Sequence, residues 1–166
     1  GDPDALLGLG KAEIALGQPQ EALEPLQQAL ESRPEDVQAL MAQGIALDLL
    51  GRHADARQAY GIALEQEPRN TSLRNNIALS IALSGDFERA VELMREVLAD
   101  PAANPGHQRN LALLLGLAGR TQEAETVARE VMPETRVDAF MNAVDRIRDI
   151  TDPRQRAVAI GTISAT

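Results

Sequence analysis

Few residues in this chain could do covalent chemistry. It holds two histidines, His53 and His107, and no cysteine. His53 falls in a turn and His107 near a helix start, and neither an HExxH pattern nor a glycine-rich phosphate loop occurs. No nucleophile–base pair or thiolate metal set can be assembled from these parts. The sequence therefore predicts no catalytic residue, no metal site and no cofactor. Glu21, Asp55 and Glu123 recur in one register on predicted turns, where a helix-start charge is the expected role. What remains is hydrogen-bonding chemistry. Asn76 and Asn110 stand 34 residues apart, each inside an apolar run, with Asn75 beside the first and Arg109 beside the second. Asn costs roughly 0.5 kcal/mol relative to Ala in a helix, so its place on an apolar face asks for a reason. A carboxamide carries both a donor and an acceptor and can pair with the C=O and N–H of an extended peptide. A guanidinium forks a carboxylate. The alternative is that the Asn side chains bond neighbouring helices and orient the stack.

The elements that position these groups are read from a repeat. Gly17, Gly51, Gly85 and Gly119 are spaced by 34 every time, as are Ala22, Ala56, Ala90 and Ala124. The turns read GQPQEA, GRHADA, GDFERA and GRTQEA, and Pro34, Pro68 and Pro101 close the first three units. Each unit is two helices of about a dozen residues joined at a Gly that supplies the positive φ ending a helix. Small residues, Gly10, Gly44, Ala78 and Ala112 in the first helices and the Ala22 series in the second, sit where the two backbones cross. One such pair cannot bury its apolar face alone, so neighbours stack into a solenoid. The predicted fold is all-α, with turns at the four glycines and at least eight helices.

These units resemble the tetratricopeptide repeat (TPR) family over about residues 3–136, as units 3–34, 35–68, 69–102 and 103–136. The small, Gly, Ala and Pro slots match. The large aromatic slots do not, since the Phe-like slot holds Leu26, Tyr60, Met94 and Ala128. The resemblance implies that the first helix of each unit faces a concave groove. Its groove slots then include Met41 and Ile45 in unit two, Asn75, Asn76, Leu79 and Leu83 in unit three, and Arg109, Asn110, Leu113 and Leu117 in unit four. It also implies a protein or extended-peptide partner, held by Asn along its backbone. Of the family's dicarboxylate clamp only Lys11, Asn76, Arg109 and Asn110 are of suitable type. Ser72 and Gly106 stand where a basic residue is wanted and Asp48 adds the wrong charge, which disfavours a co-chaperone-like adaptor. Residues 74–94 (RNNIALSIALSGDFERAVELM) and 107–130 (HQRNLALLLGLAGRTQEAETVARE) resemble the TPR lipoprotein of Flp/Tad-type pilus assembly and secretion systems. That likeness implies a scaffold in the bacterial cell envelope, lipid-anchored in the parent protein. An interaction domain of a larger cytoplasmic enzyme or regulator stays open beside it.

After residue 136 the register fails. Phe140, Val144, Ile147 and Ile150 fall on one helical face, and Asp152 with Pro153 marks a new start. Residues 137–166 are expected to cap the solenoid with two atypical helices, or to serve as a docking or oligomer contact. The net charge of −9 disfavours nucleic acid, whose binding needs a basic stripe. No apolar run reaches the eighteen or so residues of a membrane span. The chain opens at a helix start without Met, so it reads as a fragment with Gly1 left by cloning.

Overall fold

In a computed structural model that describes residues 1–164, the described chain is helical throughout. Its elements are α1 (Pro3–Ala15), α2 (Pro19–Ser32), α3 (Val37–Leu49), α4 (His53–Gln66), α5 (Thr71–Leu83), α6 (Phe87–Leu98), α7 (Pro105–Leu117), α8 (Thr121–Val131), α9 (Glu134–Arg148) and α10 (Pro153–Ser164). There are no strands among the described residues. The expected C-terminal segment 137–166 extends two residues beyond those described.

Local chemistry fixes the helix ends. Gly17, Gly51, Gly85 and Gly119 adopt φ of 73°, 77°, 92° and 79°. Each closes its helix with paired bonds back to the last turn; at the first, Gly17 N–H donates to Ile14 O at 3.0 Å and Gln18 N–H to Glu13 O at 2.8 Å. That 5→2 and 6→1 pair satisfies carbonyls the helix leaves orphaned. Whereas α2, α4, α8 and α9 start without a side-chain cap, the first helices α1, α3, α5 and α7 are each capped by a short acid or amide. At Asp36 the carboxylate accepts from Gln38 and Ala39 N–H, both at 3.0 Å. Losing such a cap costs about 1 kcal/mol.

The chain divides into two compact units, residues 1–80 and 81–166. In unit 1, α1/α2 and α3/α4 are helical hairpins, and α3 also packs on α1 and α2. Its core joins Leu30, Leu40, Leu47, Tyr60, Ala63 and Leu73, flanked by half-buried Leu6, Met41 and Ile45. The hairpins close tightly at small residues. A Cβ built on Gly10 would lie 2.5 Å from Leu26 Cγ, and one on Gly44 would lie 2.3 Å from Tyr60 Cε1.

In unit 2, α7 pairs with α8 and packs on α6, α9 and α10. Leu113, Leu114, Leu115, Val91, Met94 and Val144 are fully buried. The buried face of α9 is Val137, Met141, Val144 and Ile147. This corrects the expected face, because Phe140 and Ile150 are only half-buried at its edge. Phe140, three positions after Val137, keeps to the same side of the helix but lines a surface cleft with Met132 and Pro133.

Candidate partner-binding face

In unit 1 the predicted face is partly open. Met41 and Ile45 on α3 are half-buried and rest on the core. Lys11 Nζ on α1 donates to Gln38 Oε1 on α3 at 3.0 Å, tying two successive first helices across the same face. On α5, Asn75 Nδ2 donates to Asn76 Oδ1 at 3.2 Å. The two asparagines are thus a bonded pair: Asn75 is 9% exposed and holds the half-buried Asn76 by its carbonyl. Leu79 is half-buried one turn on.

Asp48, which the groove assignment placed on the same face, turns inward. It is 7% exposed and takes three partners. His53 Nδ1 lies 2.8 Å from Oδ1, Ser80 Oγ donates to Oδ1 at 2.8 Å, and Tyr60 Oη donates to Oδ2 at 3.1 Å. A carboxylate is acceptor-only, so the imidazole presents its Nδ1–H. The serine, histidine and aspartate types of a hydrolase triad therefore meet here in the wrong connectivity. Ser80 spends its proton on the acid and not on the imidazole, and it is fully buried, so this is a structural network joining α3, α4 and α5. Burial, then the neighbouring Asp48 charge and its hydrogen bond, push the Tyr60 phenol well above its ordinary value. The signal was present in the sequence: Asp48 is the lone acid in a slot otherwise held by Ile14, Ala82 and Gly116.

In unit 2 the predicted residues differ in access. Leu83 and Arg109 are half-buried, whereas Asn110, Leu113 and Leu117 are 4%, 0% and 3% exposed. Arg109 opens into a cleft of 300 Å³ with Met132, Pro133, Arg136 and Phe140. Two cations over an apolar floor suit an anionic group on an apolar chain. The helix carrying Arg109 starts at a capping box. Asn104 Oδ1 accepts from Gly106 and His107 N–H at 2.8 and 3.2 Å, and Asn104 N–H donates to His107 Nδ1 at 3.1 Å. Burial pushes the His107 imidazole below its ordinary value, which keeps Nδ1 an acceptor. A separate cleft of 690 Å³ in unit 1, between α2 and α4, is lined by Gln20, Gln27, Gln58 and Ile62. Nothing in the repeat pattern marks it. No group of three or more metal-ligating side chains forms among the described residues, and no described helix is long and apolar enough to cross a membrane.

The family model described as tetratricopeptide repeat matches residues 7–71, 50–106 and 77–136. The chain belongs to the tetratricopeptide repeat family. Its all-α architecture is the helical-repeat solenoid of that family, and TPR repeats are protein-interaction scaffolds that bind proteins or peptides. Among solved structures, the TPR chain is similar to PilF of Pseudomonas aeruginosa at 21% identity and TM-score 0.70, over 96% of this chain and 75% of that one. It is similar to MamA at 14% identity and TM-score 0.63, over 94% and 92%. It is also similar to an O-GlcNAc transferase of Thermobaculum terrenum at 19% identity and TM-score 0.66, over 77% of this chain and 26% of that one. The TPR chain thus spans about a quarter of the transferase. Comparison with curated proteins found no match.

Proposed function

We propose that this TPR chain is a non-catalytic scaffold that holds an extended peptide or partner protein against the exposed side of its first helices. The carrying observation is the pairing of a fixed carboxamide with apolar floor: Asn76, held by Asn75, next to half-buried Leu79 in unit 1. The Asn76 carboxamide, which accepts from Asn75 through its carbonyl, also carries two Nδ2 donors of the kind that pair with peptide C=O groups. In unit 2, Arg109 over the Phe140 cleft offers a carboxylate contact. A photo-crosslinking side chain at Asn76 should capture a partner that the same group at exposed Gln58 does not. Equal adducts from both positions would refute the reading.

The scaffold belongs, on this reading, to a bacterial pilus-assembly or secretion system in the cell envelope. The likeness to PilF over nearly the whole chain supports it. Loss of surface pili on deleting the native gene is the expected phenotype, and normal piliation would overturn it. A second reading, the interaction domain of a larger enzyme, draws support from the O-GlcNAc transferase, of which the matched part is a minority. A catalytic domain encoded in the same native gene would decide for it.

A further inference from the structure

The groove-side slots of α3, α5 and α7 can be compared position by position. Ile45, Leu79 and Leu113 share one slot, and Leu49, Leu83 and Leu117 share another. The first two of each set are half-buried, but Leu113 and Leu117 are 0% and 3% exposed. Asn76 is half-buried, while Asn110, in the same slot, is 4% exposed. Positions 110, 113 and 117 form one helical stripe, turned away from α8, which pairs with α7 across the small-residue slot of Ala112. The element that touches α7 besides its ordinary repeat neighbours is α10.

α10 is a poor second helix for α9. It follows a four-residue link, 149–152, without the positive-φ glycine that turns the other hairpins. Its described apolar anchors are Ala157 and Ile160, 3% and 1% exposed, while Val158 is 56% exposed. Asp152 caps its start by accepting from Gln155 N–H at 2.8 Å, and the Arg156 guanidinium ties it back to the Ile150 carbonyl. Gly161 is exposed, and a Cβ there would meet nothing within 4 Å. A terminal helix with two buried apolar side chains among its described residues, and no glycine-closed turn behind it, is the kind of element that opens ahead of its domain.

The geometry points to α10 as a displaceable internal occupant of the groove side of α7, a lid that leaves before that surface takes an external chain. The external chain it mimics is an amphipathic helix with a small residue and a β-branched residue three positions apart, as Ala157 and Ile160 are. This inference rests on the groove reading proposed above, but its test reads α10 alone, so failure of partner crosslinking and failure of the lid are distinguishable.

The test uses the full chain, whose lack of cysteine makes one introduced thiol the only one. With Leu113→Cys, thiol labelling should be slow and should accelerate about tenfold or more when Ile160→Glu is added, by local opening of α10. With Ala112→Cys, on the α8 side of the same helix, Ile160→Glu should leave labelling unchanged. Excess peptide of residues 149–166 should restore protection at position 113 in the Ile160→Glu background. In the unsubstituted chain, amide exchange of α10 should run ahead of α7. Equal acceleration at both thiols, no acceleration at either, no rescue by the peptide, or exchange of α10 and α7 in one step would each overturn the lid.

Discussion

Gly44→Ala should destabilise unit 1, although the same exchange stabilises most helices. In a helix interior Ala is favoured over Gly by about 1 kcal/mol. At Gly44 the new Cβ would sit 2.3 Å from Tyr60 Cε1, 2.6 Å from Cζ and 2.7 Å from Cδ1. Carbon atoms rest at about 3.5–4.0 Å, so the ring edge must retreat by about 1 Å or the helices must part. The ring cannot swing freely, because Tyr60 is 1% exposed and its hydroxyl is bonded to Asp48 at 3.1 Å. Overpacking costs about 1–3 kcal/mol, and weakening that hydrogen bond adds about 1 kcal/mol. Against the propensity gain, the net loss is about 1–3 kcal/mol. Gly10→Ala meets the Leu26 side chain at 2.5 Å, a more flexible neighbour, and should cost less. Gly8→Ala and Gly61→Ala, both helical with nothing within 4 Å of the new Cβ, should gain up to about 1 kcal/mol. Equilibrium denaturation followed by tyrosine fluorescence reads unit 1 directly, since Tyr60 is the only tyrosine and there is no tryptophan. If Gly44→Ala melts with or above Gly8→Ala, the close α3–α4 crossing is refuted.

Three further outcomes follow from burial and charge. The raised Tyr60 phenol binds its proton more tightly folded than unfolded, so its contribution is full below about pH 10 and falls by up to about 1.4 kcal/mol per pH unit as pH rises toward the folded value. Tyr60→Phe should flatten that alkaline limb in a pH series of denaturation midpoints read by circular dichroism. The lowered His107 imidazole has the opposite sense: its contribution is full above about pH 6.5 and is lost as pH falls through the lowered folded value. Acid lability of α7 in amide exchange should therefore shrink in His107→Gln. Ala90, fully buried, should lose about 1–3 kcal/mol on Ala90→Leu in thermal melts, while exposed Gln58→Ala should change stability by less than about 0.5 kcal/mol.

The repeat was legible because its signals are local. A glycine with φ near 73–92° is demanded by the turn itself and recurs wherever the turn does. The crossing residues were legible for the same reason: an alanine or glycine in a fixed slot reports close approach whatever the partner side chain. The Asp48 network was not, since it is made once. His53 is five residues from Asp48, Tyr60 is twelve and Ser80 is 32, and a search for residues repeated at one period passes over a set assembled across three helices. The α9 face was legible in part: Val144 and Ile147 are buried, whereas Phe140 on the same side lines an open cleft and Val137 and Met141 complete the buried stripe.

The two asparagines carry the sharper lesson. Asn76 and Asn110 share one slot of one repeat, and periodicity assigns them one role. Their surroundings differ for reasons outside the repeat. Asn76 is set by its neighbour Asn75 through a bond between adjacent residues, and the fourth unit has Arg109 in that place. Asn110 lies on the stripe toward which the last helix folds, and that helix begins only after the 34-residue register has ended. Period fixes which side of a first helix a residue occupies. What covers that side is decided by chain that obeys no period, so equal slots need not be equal sites.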